Sequence, residues 1–284
     1  MSYSDWSKAL QEEILHSPAY RLAYEDIDLL ADDDLRPVRL QLELLKPERA
    51  LHEHGINSTV VVFGSARTLP LQEARLRLEQ AEQACVADPD NEAAQKALNV
   101  ALRQHRQAGY YEQAREFATL VSKRFQQEKR RDFVVVTGGG PGIMEAANLG
   151  AYEAGARSIG LNITLPREQK PNPFITPELA FRFHYFAIRK MHFLMRAKAL
   201  VAFPGGFGTF DELFEALTLI QTRKMQRVPV VLFGAEFWQR AVDFEFLISE
   251  GVIAPRDRDL FAFVETAEQA VQVLHDFYQG KPPE

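Results

Sequence analysis

The chain has 284 residues, 46% of them hydrophobic, and a formal net charge of −6. That is enough apolar material for one large domain, or for one domain with an appendage, and the acidic balance argues against broad nucleic-acid binding. A single cysteine, Cys85, excludes an intramolecular disulfide and any Cys-x-x-Cys metal or redox site, and reads as half-buried filler. The start, MSYSDWSKALQEEIL, lacks the basic-then-apolar order of a signal peptide, and no apolar run approaches the ~18 residues of a membrane span. The expected location is cytoplasmic, with no membrane and no nucleic-acid partner.

Residues 1–57 read as a helical extension. Trp6, Leu10, Ile14 and Leu15 recur at helical spacing, and a second run, Leu40, Leu42, Leu44 and Leu45, is expected to end at Pro47. The triplet Asp32-Asp33-Asp34 between them reads as a solvated loop. From residue 58 to 284 short β-branched runs alternate with helical stretches. Strands are predicted at Thr59–Phe63, Phe133–Thr137, Ser158–Ile163, Ala199–Phe203 and Pro229–Phe233, with a sixth at Phe261–Val264. Runs such as VVVF, FVVV and LVAF suit central strands covered on both faces. The expected fold is α/β, a Rossmann-like doubly wound parallel sheet. About 70 residues separate the first two strands, where a simple crossover unit needs about 30. The excess, about 68–110, reads as an inserted helical hairpin (71–86 and 91–108), followed by the true crossover helix at 111–127.

Two strand-to-helix turns are rich in glycine. In VVVTGGGPGIMEAANLGAYEAG a strand runs into Gly138, Gly139, Gly140, Pro141 and Gly142 before a helix begins. Glycines allow a tight turn with bare N–H groups, and the helix N-terminus adds unpaired donors and a positive dipole end suited to phosphate. Ile143, Ala147, Gly150, Ala151 and Ala154 form a small-residue stripe expected to bring that helix close to the sheet. A P-loop is excluded, because Gly142 is followed by Ile143 and Met144 and not by Lys-Ser/Thr. A nicotinamide-binding turn is disfavoured too, since glycine is missing at Ile143 and the next strand, SIGLNITLP, ends without an acid. The second turn lies in ALVAFPGGFGTFDELFEALTLIQ, with Phe210, Leu213, Phe214, Leu217 and Ile220 on one helix face. One such turn has purely steric explanations; two in one sheet point to a ligand at the carboxyl ends of the strands.

Glu212 has two readings. Thr209-Phe210-Asp211-Glu212 matches a capping box with threonine as N-cap; alternatively the carboxylate turns toward a ligand's sugar. Asp211 is explained as a favourable charge in a first helical turn. Arg189 and Lys190 open a helix whose apolar side carries Ile188, Met191, Leu194 and Met195. Arg189, His192 and Arg196 share another face, read either as solvated or as functional. His184 with His192, and His52-Glu53-His54, lack metal-site spacing, so no metal is expected.

TGGGPGIMEAANLGA, RK and PGGFGTFDE together resemble the LOG (Lonely Guy) family, known as cytokinin riboside 5′-monophosphate phosphoribohydrolases and long mislabelled lysine decarboxylases. The resemblance covers roughly residues 58–275, and the segments FGSAR and LNITLP make it most similar to longer bacterial members. It implies a Rossmann-like sheet, a homodimer or larger homo-oligomer, and hydrolysis of a nucleoside 5′-monophosphate, AMP or a cytokinin precursor, to free base and ribose 5-phosphate. It further implies Arg189 and Glu212 as the catalytic pair. Gly138, Gly139, Gly140 and Gly142 with Gly205, Gly206, Gly208 and Thr209 would hold the phosphate. Gly64, Ser65, Arg67, Met144 and Lys190 would complete the substrate site, with no metal or organic cofactor. Two rival readings are a nucleotide or molybdopterin-cofactor carrier without catalysis, and a scaffold acting through the helical insertion.

Overall fold

The computed structural model describes residues 3–127, 130–165, 170–281 and 283; Pro166, the end of the LNITLP segment, lies outside them. The chain divides into two compact units, Met1–Lys46 and Pro47–Glu284. In the first, α1 (Tyr3–Leu15) and α2 (Ile27–Ala31) precede the start of α3 (Arg36–Glu53). Asp26 caps α2 by accepting from the Leu29 N–H, and Arg39 donates to the Leu30 carbonyl at 2.7 Å. The stripe on α1 is helical as expected but uncovered, with Trp6, Leu10, Ile14 and Leu15 all exposed. Asp33 and Asp34 lie exposed in a 3-10 turn, where Asp33 pairs with Arg36. Pro47 does not end α3. The helix continues for six residues beyond it, and burial of Pro47 and Leu51 offsets the hydrogen bond that proline removes.

The second unit continues with β1 (Thr59–Phe63), α4 (Leu71–Ala87) and α5 (Glu92–Phe125), a two-stranded ribbon of β2 (Gln126–Gln127) and β3 (Arg130–Arg131), then β4 (Val134–Thr137), α6 (Ile143–Glu153), β5 (Ser158–Ile163) and β6 (Ala180–Phe183). It ends with α7 (Phe186–Met195), β7 (Ala197–Ala202), α8 (Phe207–Gln221), β8 (Val230–Phe233), α9 (Ala235–Ala241), α10 (Phe244–Ser249), β9 (Phe261–Val264) and α11 (Ala267–Phe277). Among the described residues the main sheet has seven strands in the order β6-β5-β4-β1-β7-β8-β9, every pair parallel. The chain builds outward from β1 to β6, then returns to place β7 on the other side of β1. This is the expected doubly wound α/β arrangement.

Alternation along β1 divides the core. Val60 and Val62 face Phe117 and Ala118 of α5, Ile143 and Ala146 of α6, and Leu274 of α11. Val61 and Phe63 face the other layer, with Phe193 of α7, Leu213 and Ala216 of α8, and Trp238 of α9. All five β1 positions are buried, which is why this strand is a continuous apolar run. The edge strand β6 was not predicted. Only Phe181 and Phe183 turn inward while Ala180 and Arg182 face out, so its signal is short and one-sided.

The insertion also differs from expectation. The second arm of the hairpin and the crossover helix are one 34-residue helix, α5, running through Gly109. Asn91 caps it by accepting from the Ala93 and Ala94 N–H groups. Its inner face (Ala101, Ala108, Tyr111, Ala114, Phe117, Ala118, Val121) keeps one helical period throughout, so nothing compels a break. The small stripe on α6 serves helix–helix contact. A Cβ on Gly150 would stand 2.0 Å from the Arg115 carbonyl oxygen of α5, while Arg115 grips Glu153 through two hydrogen bonds of 2.7 and 2.5 Å. Gly150→Ala must push these helices apart, and a loss of about 1–3 kcal/mol is expected. A thermal melt lowered by several degrees is the result that checks it.

Candidate functional site

Three loops meet where the strand order reverses, between β1 and β7, the position where open α/β sheets receive ligands. Phe203 N–H donates to the Phe63 carbonyl (2.9 Å) and Ser65 N–H to the Pro204 carbonyl (3.1 Å), joining the loops after β1 and β7. Ile143 N–H donates to the Ser65 carbonyl (3.1 Å), bringing in the turn before α6. Such closeness dictates glycine. A Cβ on Gly142, whose φ is +73°, would lie 2.3 Å from the Ser65 oxygen, and one on Gly64 would lie 2.6 Å from Ile143. Ser65 Oγ accepts from the Arg67 N–H (3.1 Å), and the Arg67 side chain is exposed.

The first glycine turn rests on buried polar groups. Thr137 Oγ1 accepts from the Gly139 N–H (3.0 Å) and donates to Asn148 Oδ1 (2.7 Å). Met144 folds back on the turn, its sulfur 2.9 Å from where a Gly138 Cβ would sit. Gly142 is the N-cap of α6 and provides no side-chain cap. Among the described residues the Gly140 and Gly142 N–H groups meet no acceptor.

The second turn corrects the capping-box reading. α8 begins at Phe207 with Gly206 as N-cap, so Thr209 lies inside the helix and its hydroxyl packs on Gly205, 2.1 Å from a Cβ placed there. Gly206 has no side chain with which to cap this helix end. Gly206 and Gly208 border open space, and Phe207 between them is 97% exposed. The glycine cap moved the helix start three residues upstream of the Thr209 signal, so Glu212 is released from any capping role.

Glu212 is instead buried, 4% exposed, and faces α7. Its Oε1 lies 3.8 Å from Arg189 Nη2, too long for a hydrogen bond. Arg189 Nε and Glu212 Oε2 are both buried without a hydrogen-bond partner. Such unspent capacity in a buried ion pair is destabilising, and a strongly perturbed buried pair of this kind is a candidate for ligand contact. The Arg189 guanidinium lies over the rings of Phe186 and Phe193, 5.1 and 5.5 Å from their centroids. Burial pushes the Glu212 carboxyl up to about 7; Lys190 and Arg189 pull it down, while Glu215 and Asp211 push it up. Burial also lowers the Arg189 pKa, against the opposing pull of Glu212 and Asp211. Lys190 bridges Asp211 (2.9 Å) and Glu215 (3.0 Å), which offsets the charge of the two other acids beside the pair.

The structure thus ties the loops at Ser65, Gly142–Ile143 and Phe203–Pro204 to one another, and sets Arg189 against Glu212 on α8, the helix that the second glycine turn opens; Arg67 reaches solvent and Lys190 pairs along the α7–α8 flank. The faces of α7 were misassigned. Ile188 and Leu194 pack into the core as expected, but Met191 and Met195 are about half exposed, while His192 and Phe193 are buried. The face shared by His192 and Arg196 is not solvated: Arg196 Nη2 pairs with Glu48 at 2.8 Å, and His192 Nδ1 stands 3.7 Å from the same carboxylate. Sequence reasoning missed Thr137, Asn148, Asn172 and the aromatic seat of Arg189. Among the described residues no group of three His, Cys, Asp or Glu is placed to hold a metal, and no helix is long and apolar enough to cross a membrane.

Residues 144–274 match a family model described as "Possible lysine decarboxylase". A cytokinin riboside 5′-monophosphate phosphoribohydrolase of Arabidopsis thaliana is 27% identical over 52% of this chain and 69% of its own. The enzyme of that description called LOG, from Oryza sativa subsp. japonica, is 29% identical over 51% of this chain and 60% of its own. Among solved structures, the molybdenum cofactor carrier protein of Chlamydomonas reinhardtii covers 78% of this chain and 99% of its own at 19% identity, with a TM-score of 0.47.

Proposed function

We propose that the chain acts as the LOG proteins it resembles do and hydrolyses the N-glycosidic bond of a nucleoside 5′-monophosphate, releasing free base and ribose 5-phosphate. The observation that carries this reading is the buried Arg189–Glu212 pair, with unpartnered polar atoms on both sides, in a chain where α6 and α8 both start on a glycine N-cap. Unpaired N–H groups and the positive dipole ends of α6 and α8 suit the 5′-phosphate. Anchoring that remote group supplies binding energy that orients the bond to be broken.

Cleavage passes through an oxocarbenium-like ribose, as in glycoside hydrolysis generally. In the proposed mechanism Glu212, as carboxylate, stabilises the developing charge through the ribose hydroxyls or activates the attacking water, inside a site where burial strengthens its effect. Arg189, held by the two phenyl rings, orients Glu212 and keeps part of it ionised near neutrality. These residues need no metal and no organic cofactor for either role.

The test is a panel of nucleoside 5′-monophosphates carrying adenine, an N6-modified adenine, cytosine and guanine, with base and ribose 5-phosphate followed by chromatography. Equimolar release of the two products from at least one monophosphate is expected. Tight binding of a monophosphate without cleavage would replace the hydrolase reading with a carrier.

A further inference from the structure

Both carbonyls of the Gly139–Gly140 segment are held by one residue that no motif contains. Asn172 lies in the loop after β5 and is 6% exposed. Its backbone N–H donates to the Gly139 carbonyl (2.8 Å), and its Nδ2 donates to the Gly140 carbonyl (3.0 Å) and to Asn148 Oδ1 (3.0 Å). Its Oδ1 accepts from the Phe174 N–H (3.2 Å), so its amide group is fully used. Asn148 in turn receives the Thr137 hydroxyl and donates to Ser158 Oγ (2.9 Å).

In a trans peptide the carbonyl and the following N–H point in opposite directions. Fixing the Gly139 carbonyl on Asn172 therefore aims the Gly140 N–H away from Asn172, and that N–H has no protein acceptor among the described residues. The next peptide ends in Pro141, which has no N–H to offer. Its only possible effect on an anion is repulsion by the Gly140 carbonyl, and Asn172 Nδ2 sequesters that oxygen. We propose that Asn172 is a positioning residue for the phosphate of the substrate: by holding the Gly139 and Gly140 carbonyls, it keeps both oxygens from facing the anion and leaves the Gly140 N–H to donate. This rests on the hydrolase reading and deepens it, since it assigns the recognition of the 5′-phosphate to a loop outside both glycine motifs.

Asn172→Asp keeps the shape but replaces two donors with an acceptor facing two oxygens, and Asn172→Ala removes the side chain altogether. The full chain and these variants are titrated with ribose 5-phosphate by calorimetry at a temperature where circular dichroism shows each folded. Ser158→Ala serves as the comparison, because it cuts the same buried network without touching either carbonyl. At least tenfold weaker ribose 5-phosphate binding is expected for both Asn172 variants, against less than threefold for Ser158→Ala. In turnover, the Asn172 variants should raise KM for a monophosphate by a similar factor with kcat within threefold of the parent. Unchanged affinity in the Asn172 variants overturns the proposal, as does an equal loss in Ser158→Ala, which would signify general loosening. A parent chain that binds no ribose 5-phosphate would refute the phosphate cradle itself, and with it this role.

Discussion

Glu212→Gln is expected to lower kcat by three or more orders of magnitude while making the protein relatively more stable as pH rises. A thousandfold loss corresponds to about 4 kcal/mol of lost transition-state stabilisation, the scale reached when one preorganised electrostatic group is removed from a dry site. The amide keeps the shape of the carboxyl but cannot carry charge or accept a proton. Stability moves the other way. The Glu212 carboxyl is pushed up to about 7 by burial, so the folded state binds its proton more tightly than the unfolded chain, where the carboxyl has its ordinary value of 4.5. A raised carboxyl pKa means that stability present at low pH is lost as pH climbs from about 4.5 through 7. Across that window the ionised wild-type group costs about 3 kcal/mol, reduced in the comparison by the partner that Arg189 loses in the variant. The melting temperature of Glu212→Gln relative to wild type should therefore rise between pH 5 and pH 8. Near-normal turnover in the variant, or a difference in melting that ignores pH, would contradict the role assigned to this carboxyl.

Arg189→Met should lower kcat/KM at pH 7 by about 100-fold, about 2.7 kcal/mol, and move the pH profile as well. If the carboxylate is the active form, kcat/KM of the wild type rises with pH through the Glu212 ionisation near 7. The cationic guanidinium, together with Lys190, holds that ionisation down against burial. Methionine fills the space between Phe186 and Phe193 but removes the charge, so the rising limb should shift to higher pH, with part of the lost activity regained in alkaline buffer. A lower rate with an unmoved profile would separate Arg189 from Glu212. Lys190→Met offers the complementary measurement: it too should shift the limb upward, because its charge also lowers the Glu212 pKa.

The parts of this molecule that the sequence made legible share a physical basis. β1 is buried at every position, so its apolar run and its central place agree. Gly64, Gly142 and Gly205 are imposed by approaches of 2.1–2.6 Å that any Cβ would violate, so the two turns announced themselves as composition. Where local and tertiary demands competed, the local signal misled. Thr209 and Glu212 have the spacing of a capping box, but Gly206 starts the helix earlier and the threonine is spent packing on Gly205. Met191 and Met195 look like core by residue type, whereas His192 is buried with Phe183 and Glu48 beside it, and Glu48 is far away in sequence. Asn172 is the extreme case: it is 32 residues beyond the carbonyl that it holds, and only the topology of β4 and β5 brings the two together.

The most direct test of the central claim compares AMP with adenosine, using wild type and Glu212→Gln in parallel and measuring free adenine against time. The account predicts adenine and ribose 5-phosphate from AMP at rates far above those from adenosine, and loss of that release in the variant. Equal rates from AMP and adenosine would contradict the phosphate-anchored site, and undiminished release by Glu212→Gln would contradict the buried Arg189–Glu212 pair as the catalytic centre.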